Sequence, residues 1–214
     1  MILTALVTVI GAYLLGSISF AVIFSRAFVK KDVRGMGSGN AGTTNVMRAV
    51  GFLPGLLTFI CDALKGFIAC KSGEMIFDYI SRNSASEWAV PIYGAYICGV
   101  FCMVGHILPL FFGFKGGKGV ATAVGIFAVC CPKAIIIGLL AFSAVLIISR
   151  IVSLSSLVAA VTVVVLSMIF RDTSAAFLPQ AIMSTSMGAM IFIKHSDNIK
   201  RLLSGQEKRI KIKR

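Results

Sequence analysis

The chain has 214 residues, of which 57% are hydrophobic and only 14% are charged, and this balance excludes an ordinary soluble domain. A formal net charge of +13 would suit nucleic-acid binding in a soluble protein. Here the basic residues gather in short polar segments and in the tail, without interleaved aromatic side chains on which bases could stack. The composition therefore predicts an integral membrane protein with a positive-inside charge pattern and no nucleic-acid partner.

The first apolar run, residues 1–25, has no charged side chain, and basic residues follow it rather than precede it. This order is the reverse of a secretory signal peptide. It predicts a first transmembrane helix with its N-terminus outside the cell and its basic end in the cytoplasm. The first polar segment, residues 30–51, then leads to a second span over residues 52–70.

The second span contains Asp62 and Lys65, which lie one helical turn apart and can pair. Ionisable side chains at that depth are candidates for a functional site, but a structural pair facing the interior of the helix bundle explains them as well. Residues 71–87 are mixed in charge and predict an exterior loop that continues to about residue 90.

The third span begins with interfacial aromatic side chains, Trp88, Tyr93 and Tyr96. Residues 121–149 are too many for one span and too few for two, which need about 20 residues each. Two more spans follow, residues 154–170 and 175–193, so a single crossing of residues 121–149 would leave the basic tail outside. Residues 121–149 therefore predict two short helices or a re-entrant hairpin turning at Pro132. The predicted fold class is all-α: a polytopic membrane protein of seven transmembrane helices, two of them short, with its N-terminus out, its C-terminus in, and a single domain over residues 1–214.

Six cysteines lie in or beside apolar runs: Cys61, Cys70, Cys98, Cys102, Cys130 and Cys131. Their spacing does not combine with the histidines into a pattern that is typical of a zinc site. We therefore expect buried thiols without a disulfide framework, and neither a metal nor a cofactor.

The first polar segment contains the sequence GSGNAGTTNVMR from residue 37 to residue 48. Its glycines satisfy G-x-G-x-x-G, but no strand precedes them and no suitably placed acidic residue follows, so a dinucleotide site is not predicted. Small donors and a guanidinium at a helix start suit a phosphate monoester. The candidates are Ser38, Asn40, Thr44, Asn45 and Arg48. A turn-rich connector that caps the next helix is the alternative.

The glycine-rich segment, residues 113–119, places Lys115 and Lys118 among glycines that lack a Cβ atom: Gly113, Gly116, Gly117 and Gly119. Backbone N–H groups in such a segment can close on an anion. Phe112 and Gly119 replace the first glycine and the magnesium-binding hydroxyl of a P-loop, so a metal-bound nucleotide is not predicted. A flexible basic loop anchored to lipid headgroups is the alternative. His106, at the end of the preceding helix, is either a helix-end residue or a catalytic one.

The last polar segment, residues 195–207, reads HSDNIKRLLSGQE and follows the last span directly. His195, Asn198 and the basic pair beyond them could orient a polyol phosphate. For the tail from Lys208 onward we favour a basic juxtamembrane tail that pairs with anionic membrane lipid. On the predicted topology all three polar segments are cytoplasmic and could meet around one site at the membrane surface.

Together the sequences GSGNAGTTNVMR, GHILPLFFGFKGGKGVAT and HSDNIKRLLSGQE resemble the three motifs of the bacterial acyl-phosphate:glycerol-3-phosphate acyltransferase family, whose membrane-bound members perform the first acylation step of phospholipid synthesis. The resemblance implies an enzyme that moves a fatty acyl group from acyl phosphate to the 1-position of glycerol 3-phosphate, giving lysophosphatidic acid and phosphate. It also implies a multi-pass protein of the bacterial cytoplasmic (inner) membrane, with its active site facing the cytoplasm and its acyl phosphate supplied by a soluble phosphate acyltransferase.

The resemblance also implies a role for each matching residue. Ser38, Arg48 and Lys118 would hold the phosphate of glycerol 3-phosphate, and His195 and Asn198 would hold its glycerol. The acyl phosphate would bind the glycine-rich segment at Gly116, Gly117 and Gly119, and Glu207 would support the site structurally. The remaining predicted substrate-binding residues are Asn40, Thr44, Asn45 and Lys115.

Two other classes of protein compete with this interpretation. A transporter or exchanger of phosphorylated small molecules would place its site near the membrane midplane, between inverted repeats, and the chain shows no repeat. A structural membrane subunit would leave the glycines beside Lys115 and Lys118 without a purpose.

Overall fold

The computed structural model describes residues 1–84, 88–170 and 177–210. Within these ranges the chain forms α-helices and two short 3-10 turns, at Val33–Gly35 and Leu110–Phe112, and no β-strand. The helices are α1 Ile2–Gly16, α2 Phe20–Val29, α3 Thr43–Ala49, α4 Phe52–Asn83, α5 Pro91–Ile107, α6 Val120–Cys130, α7 Pro132–Ser149, α8 Val152–Ile169, α9 Phe177–Lys194 and α10 Ser196–Leu203. The all-helical prediction is confirmed. Parts of three predicted features lie outside the described residues: Glu87 of the exterior loop, Ala175 at the start of the last span, and Lys211, Lys213 and Arg214 of the tail.

The helices form two compact units, Met1–Cys130 and Cys131–Arg214. In the first unit α4 is central, and α1, α2, α3, α5 and α6 all pack against it. Glycines allow the closest approaches. A Cβ on Gly73 of α4 would overlap the carbonyl of Gly94 on α5, and one on Gly125 of α6 would overlap the carbonyl of Ala63 on α4. Small residues at such crossings bring helix backbones together, which is how helices associate in a membrane.

The exterior loop predicted over residues 71–90 is in large part wrong, because α4 continues without a break to Asn83. At about 1.5 Å per residue, the 32 residues of α4 are longer than the ~30 Å hydrocarbon core of a bilayer. The charged end of α4 is held by helical ion pairs, Lys71 with Glu74 at 2.7 Å and Arg82 with Asp78 at 2.8 Å. Pairs at this spacing stabilise an exposed helix, so mixed charge here extends the helix rather than ending it.

The first span also differs from the continuous helix predicted over residues 1–25. It breaks at Ser17–Ser19 into α1 and α2, although no proline or charge marks the site in the sequence. The break exposes backbone polar groups inside an apolar environment, where they need partners. One partner comes from another helix, since Lys65 Nζ donates to the Ile18 carbonyl at 2.7 Å.

The interruption predicted at Pro132 is confirmed, because α6 ends at Cys130 and α7 begins at Pro132. Only α6, with 11 residues, is short, whereas α7 has 18. Five helical segments of the described residues are long and apolar enough to cross a membrane: Ile2–Val29, Phe52–Asn83, Pro91–Phe112, Pro132–Ser149 and Val152–Ile169. The 18-residue helix α9 contains Gln180 and Lys194 and is not among them.

In the second unit α8 packs against both α7 and α9. A buried polar cluster joins α8 to α9: Ser167 Oγ donates to Ser184 Oγ at 2.7 Å, and Gln180 Nε2 donates to the Ser167 carbonyl at 2.7 Å. Hydrogen bonds between helices satisfy polar groups that lipid cannot. The short helix α10 follows α9 and carries the last polar segment.

Candidate active site

Asn45 organises the first polar segment. It is 3% exposed, and its side-chain oxygen accepts the Ser38 N–H at 2.9 Å. Its Nδ2 lies 3.1, 2.9 and 3.0 Å from three carbonyl oxygens, those of Val33, Met36 and Asn40. Because backbone groups of the segment take up the whole amide, the structure gives Asn45 a positioning role rather than the direct substrate contact that the sequence predicts.

The two side chains predicted to hold phosphate in this segment lie at its surface. Ser38 and Arg48 are exposed, with Arg48 in the last turn of α3, while Asn40 and Thr44 are partly buried. Gly37 lies against the amide oxygen that accepts the Ser38 N–H and has a φ of 61°, so a side chain there would be strained and would clash. The segment therefore turns tightly and presents Ser38 outward.

The glycine-rich segment folds back on the end of α5. The Gly116 N–H donates to the Ile107 carbonyl at 3.3 Å, and the Gly117 N–H donates to the His106 carbonyl at 3.2 Å. A Cβ on Gly117 would overlap His106 Nε2 and lie 2.6 Å from the Ala41 carbonyl oxygen. The absent Cβ atoms thus allow close packing, and these two N–H groups bond within the protein rather than pointing toward an anion, which corrects the reason expected for the glycines.

Asp32 and Arg34 connect the first polar segment to the turn at Leu110–Phe112. Asp32 accepts from the Arg34 backbone N–H at 3.0 Å and from its guanidinium at 3.0 and 2.8 Å, and Arg34 also donates to the Phe112 carbonyl. Hydrogen bonds from Arg34 and from Arg26 hold the pKa of Asp32 well below its usual range, against the opposite effect of burial. The same pairing raises the pKa of Arg34. Both charges therefore persist at neutral pH.

An open recess of about 700 Å³ lies where the first polar segment meets the glycine-rich segment. Its lining is Arg26, Asp32, Arg34, Gly39, Asn40, Phe111, Phe112, Gly113, Lys115 and Gly116. The structure thus brings together Asn40, Lys115 and Gly116 of the predicted set. Ser38, Arg48 and Lys118 are not among the lining residues. Three cations against one carboxylate give the recess a positive balance that suits an anion.

In the second unit, His195 is the N-cap residue of α10 and is 3% exposed. Its Nδ1 lies 2.8 Å from the Ile191 carbonyl oxygen. Because a carbonyl oxygen only accepts hydrogen bonds, Nδ1 carries a proton. The backbone of α9 therefore determines both the tautomer and the orientation of this imidazole.

Glu207 joins α10 to the start of α8. It accepts hydrogen bonds from Ser153 Oγ at 2.8 Å, Asn198 Nδ2 at 2.6 Å and Arg201 Nε at 2.7 Å. Burial alone would raise the pKa of Glu207, but the hydrogen bonds from Arg201, Ser153 and Asn198 outweigh it and leave that pKa below its usual value. The ionised carboxylate holds the amide of Asn198, itself 8% exposed, in one orientation.

A family model described as glycerol-3-phosphate acyltransferase matches residues 6–205. The chain belongs to the glycerol-3-phosphate acyltransferase family. A relative from Bacillus anthracis named glycerol-3-phosphate acyltransferase 2 is 39% identical over 205 residues, covering 96% of this chain and 98% of the relative. One from Aquifex aeolicus named glycerol-3-phosphate acyltransferase is 37% identical over 205 residues, with coverages of 96% and 98%.

Two crystal structures of PlsY (YgiH), an integral membrane glycerol 3-phosphate acyltransferase, are similar to the acyltransferase at 36% identity. The glycerol 3-phosphate form has a TM-score of 0.82, covering 97% of this chain and 96% of that chain. The lysophosphatidic acid form has a TM-score of 0.79, with coverages of 97% and 95%. The resemblance seen in the three motifs is thus confirmed at the level of the family, and the acyltransferase is an integral membrane enzyme.

Residues that sequence reasoning missed also shape the acyltransferase. Asp32 and Arg34 were not among the predicted site residues, although an acidic residue two positions before an arginine is a signal for such a pair. Ser153 lies one residue before the predicted span 154–170, and nothing in the sequence links it to Glu207. Among the described residues, no three His, Cys, Asp or Glu side chains are placed to hold a metal ion.

Proposed function

We propose that the acyltransferase moves a fatty acyl group from acyl phosphate to the 1-position of glycerol 3-phosphate, giving lysophosphatidic acid and phosphate. Family membership and the names of the relatives support glycerol 3-phosphate as the acceptor. The solved relative occurs in a glycerol 3-phosphate form and in a lysophosphatidic acid form, which correspond to the acceptor and the product of this reaction. One domain, residues 1–214, performs the reaction without a cofactor.

The observation that supports acyl phosphate as the donor is that the recess combines positive charge with apolar side chains. Arg26, Arg34 and Lys115 contribute positive charge to it. Two phenylalanines also line the recess, Phe111, which is 59% exposed, and the partly buried Phe112. A single amphipathic molecule with a phosphate at one end and an alkyl chain behind it matches both features. Acyl phosphate has this form, with no large polar carrier attached.

The first unit supplies the phosphate-binding groups. Ser38, Arg48 and Lys118 bind the phosphate of glycerol 3-phosphate, since a guanidinium, an ammonium and a hydroxyl are suitable donors to a phosphate monoester. Acyl phosphate binds beside Gly116, Gly117 and Gly119, where Lys115 adds positive charge and the N–H groups of Gly116 and Gly117 hold the segment in shape rather than the donor. Asn40, Thr44 and Asn45 complete the substrate-binding group, Asn45 through the backbone that it holds.

His195 and Asn198 bind the hydroxyls of the glycerol, and both side chains are already fixed by the protein. The Ile191 carbonyl holds the ring of His195, and Glu207 holds the amide of Asn198. Such preorganisation lowers the cost of bringing the acceptor hydroxyl to the carbonyl carbon of the donor. Glu207 thereby supports the site without contacting substrate.

In the proposed reaction the 1-hydroxyl oxygen attacks the acyl carbonyl carbon, and the bond between this carbon and the phosphate oxygen breaks. Phosphate leaves with the bonding electrons. The sequence lacks an H-x-x-x-x-D pair, because the fifth residue after His106 is Phe111 and the fifth after His195 is Lys200. The hydroxyl proton therefore passes to a substrate phosphate oxygen, while the protein contributes position and positive charge.

The membrane arrangement that goes with this function has seven crossings, α6 being the short one, with the N-terminus outside and the C-terminus in the cytoplasm. The protein then lies in the bacterial inner membrane with its active site facing the cytoplasm. Glycerol 3-phosphate arrives from the cytosol. Acyl phosphate, made by a soluble phosphate acyltransferase, arrives from the membrane lipid.

The reaction is tested with purified protein, palmitoyl phosphate and radiolabelled glycerol 3-phosphate. We expect lysophosphatidic acid and an equimolar amount of phosphate. Palmitoyl-CoA serves as the contrasting donor, because it carries the same acyl group on a large polar carrier. Product from palmitoyl-CoA but not from palmitoyl phosphate would contradict the proposed donor. Absence of product from both would contradict the proposed reaction.

Variants then test the proposed residue roles. Lys118→Ala, Arg48→Ala and His195→Ala should each lower kcat/KM by ~100-fold, as expected for lost electrostatic or positioning contacts. Lys208→Ala, in the exposed tail, is the matched control for lost positive charge and should keep its activity. A His195→Ala enzyme whose pH–rate profile has simply lost one ionisation, beside near-normal turnover in Lys118→Ala and Arg48→Ala, would show that a protein base takes the proton.

A further inference from the structure

Asp62 and Lys65 form a buried ion pair inside the first unit that none of the proposed substrate contacts uses. Asp62 is 1% exposed and Lys65 is 2% exposed, and Lys65 Nζ lies 2.8 Å from Asp62 Oδ1. The same ammonium donates to the Ile18 carbonyl at 2.7 Å and lies 5.7 Å from the centre of the Phe20 ring. Lys65 therefore neutralises Asp62 and also satisfies a carbonyl at the break between α1 and α2.

Asp62 reaches a second partner, His106, on α5. The Oδ1 atom that faces Lys65 also lies 3.5 Å from His106 Nδ1, an ion-pair distance, and no hydrogen bond satisfies this buried oxygen among the described residues. His106 is 7% exposed. The far side of His106 contacts the glycine-rich segment. Its carbonyl accepts the Gly117 N–H at 3.2 Å, and its ring fills the space that a Cβ on Gly117 would need.

We propose that Asp62 is a positioning residue that acts through His106. By holding the imidazole, the buried carboxylate fixes Gly116 and Gly117 and thereby places Lys118, the next residue along the chain. Lys65 keeps the carboxylate ionised and stationary in a region from which water is excluded. The ligand that Lys118 serves is the one given by the proposed function, and in that respect the inference rests on it.

A buried ion pair that serves only folding can often be replaced by neutral groups of similar size without loss of stability. The double variant Asp62→Asn/Lys65→Met uses this property, since it removes both charges and strands neither. We expect a folded protein whose kcat/KM falls by ~100-fold, because a small displacement of a positioning group has that effect. We also expect trypsin to cleave several-fold faster after Lys115 and Lys118, with the sites identified by mass spectrometry.

The His106 series distinguishes positioning from chemistry. His106→Asn retains an amide nitrogen near the place of Nδ1, where it can still bond Asp62, whereas His106→Ala does not. We expect His106→Ala to lose both the trypsin protection of the glycine-rich segment and the activity. We expect His106→Asn to recover the protection and much of the kcat. Full protection in His106→Asn with activity as low as in His106→Ala would make the imidazole a chemical participant and overturn the positioning role.

The matched control is Lys71→Met/Glu74→Gln, which removes an ion pair on the same helix with the same three-residue spacing, but on its exposed part. It should change neither protection nor activity. A folded Asp62→Asn/Lys65→Met enzyme with wild-type protection and activity would overturn the inference, and so would a protected His106→Ala. The protease comparison needs no substrate, so it decides the positioning claim even if the wild-type protein transfers no acyl group. If the double variant does not fold, the His106 series decides alone.

Discussion

At the scale of single residues, buried amides and carboxylates hold the polar segments in shape. Asn45 is the centre of the hydrogen bonds in the first polar segment, and Glu207 is the centre of those in the last one. Asn45 bonds backbone groups up to 12 residues earlier in the chain, and Glu207 bonds Ser153, which is 54 residues earlier. Neither role follows from the nearest sequence neighbours. The side chains proposed to contact substrate, such as Ser38, are presented by backbone that these residues hold.

Asn45 provides the residue-scale prediction. Asn45→Asp keeps the shape of the side chain but replaces two N–H donors with an acceptor that faces the carbonyls of Val33, Met36 and Asn40. Each buried group left without its partner costs about 1–3 kcal/mol, so we expect a lower unfolding temperature and loss of activity. Unfolding is followed with a thiol-reactive dye, since most of the cysteines are buried.

Asn83→Asp is the control for this change, because Asn83 lies at the exposed end of α4, where its side chain donates to the Tyr79 carbonyl of the same helix. It should unfold at the wild-type temperature. An Asn45→Asp protein that is as stable and active as Asn83→Asp would show that the bonds of Asn45 do not hold the segment together.

At the scale of helices, close packing rather than hydrophobicity decides which faces meet. The segments Ile2–Val29, Phe52–Asn83 and Pro91–Phe112 of the first unit are all apolar enough to cross a membrane, so apolar periodicity could not select partners for α4. The contact faces are marked instead by glycines that lie against opposing backbone, as at Gly66 against the Thr122 carbonyl and at Gly125 against Ala63. In a membrane such close approach contributes dispersion energy that lipid contact does not exceed.

Gly125→Ala tests this at the crossing of α4 and α6. Its Cβ would overlap the Ala63 carbonyl and lie 2.9 Å from the Phe67 backbone nitrogen, so the helices must separate. Overpacking of this kind costs about 1–3 kcal/mol, and we expect a lower unfolding temperature in the same dye assay. Gly11→Ala is the control, because no atom lies within 4 Å of a Cβ there. Equal stability of the two variants would rule out a packing role for Gly125.

At the scale of the whole molecule, the surface of the helices is apolar and the charge is concentrated at segment ends. Exposed side chains such as Ile148, at 84%, and Leu3, at 73%, would be unfavourable in water and are expected to face lipid. Most basic residues lie in the first polar segment, in the glycine-rich segment and in the tail. The positive-inside pattern predicts that these parts of the chain lie in the cytoplasm.

Labelling with a membrane-impermeant maleimide in intact cells tests the proposed orientation. A cysteine at Lys31 or Lys208 should react only after permeabilisation, whereas a cysteine at Arg82, on the protruding end of α4, should react from outside. The wild-type protein, whose thiols are largely buried, is the background control. Labelling of Lys31→Cys from outside would reverse the proposed topology. Labelling of Lys31→Cys and Lys208→Cys on opposite faces would contradict the even number of crossings proposed between these two positions.

The sequence alone was sufficient for the helical class, the membrane environment, the break at Pro132 and the family, because these depend on composition, local breaker residues and contiguous motifs. It failed where a residue acts through distant partners. The continuation of α4 to Asn83 came from ion pairs one turn apart, and the break at Ser17–Ser19 came with a hydrogen bond from Lys65. Neither is visible in apolar periodicity.

The sequence itself shows which residues carry the three motifs, because glycine, lysine, histidine and asparagine have chemistry of their own. Only the tertiary structure decided which of them hold the protein together. In the structure the N–H groups of Gly116 and Gly117 hydrogen-bond to carbonyls at the end of α5, and the amide of Asn45 hydrogen-bonds to backbone groups. Asp62 lies beside His106. Such assignments depend on which donors and acceptors meet in space, because a buried polar group takes the partner that packing brings to it.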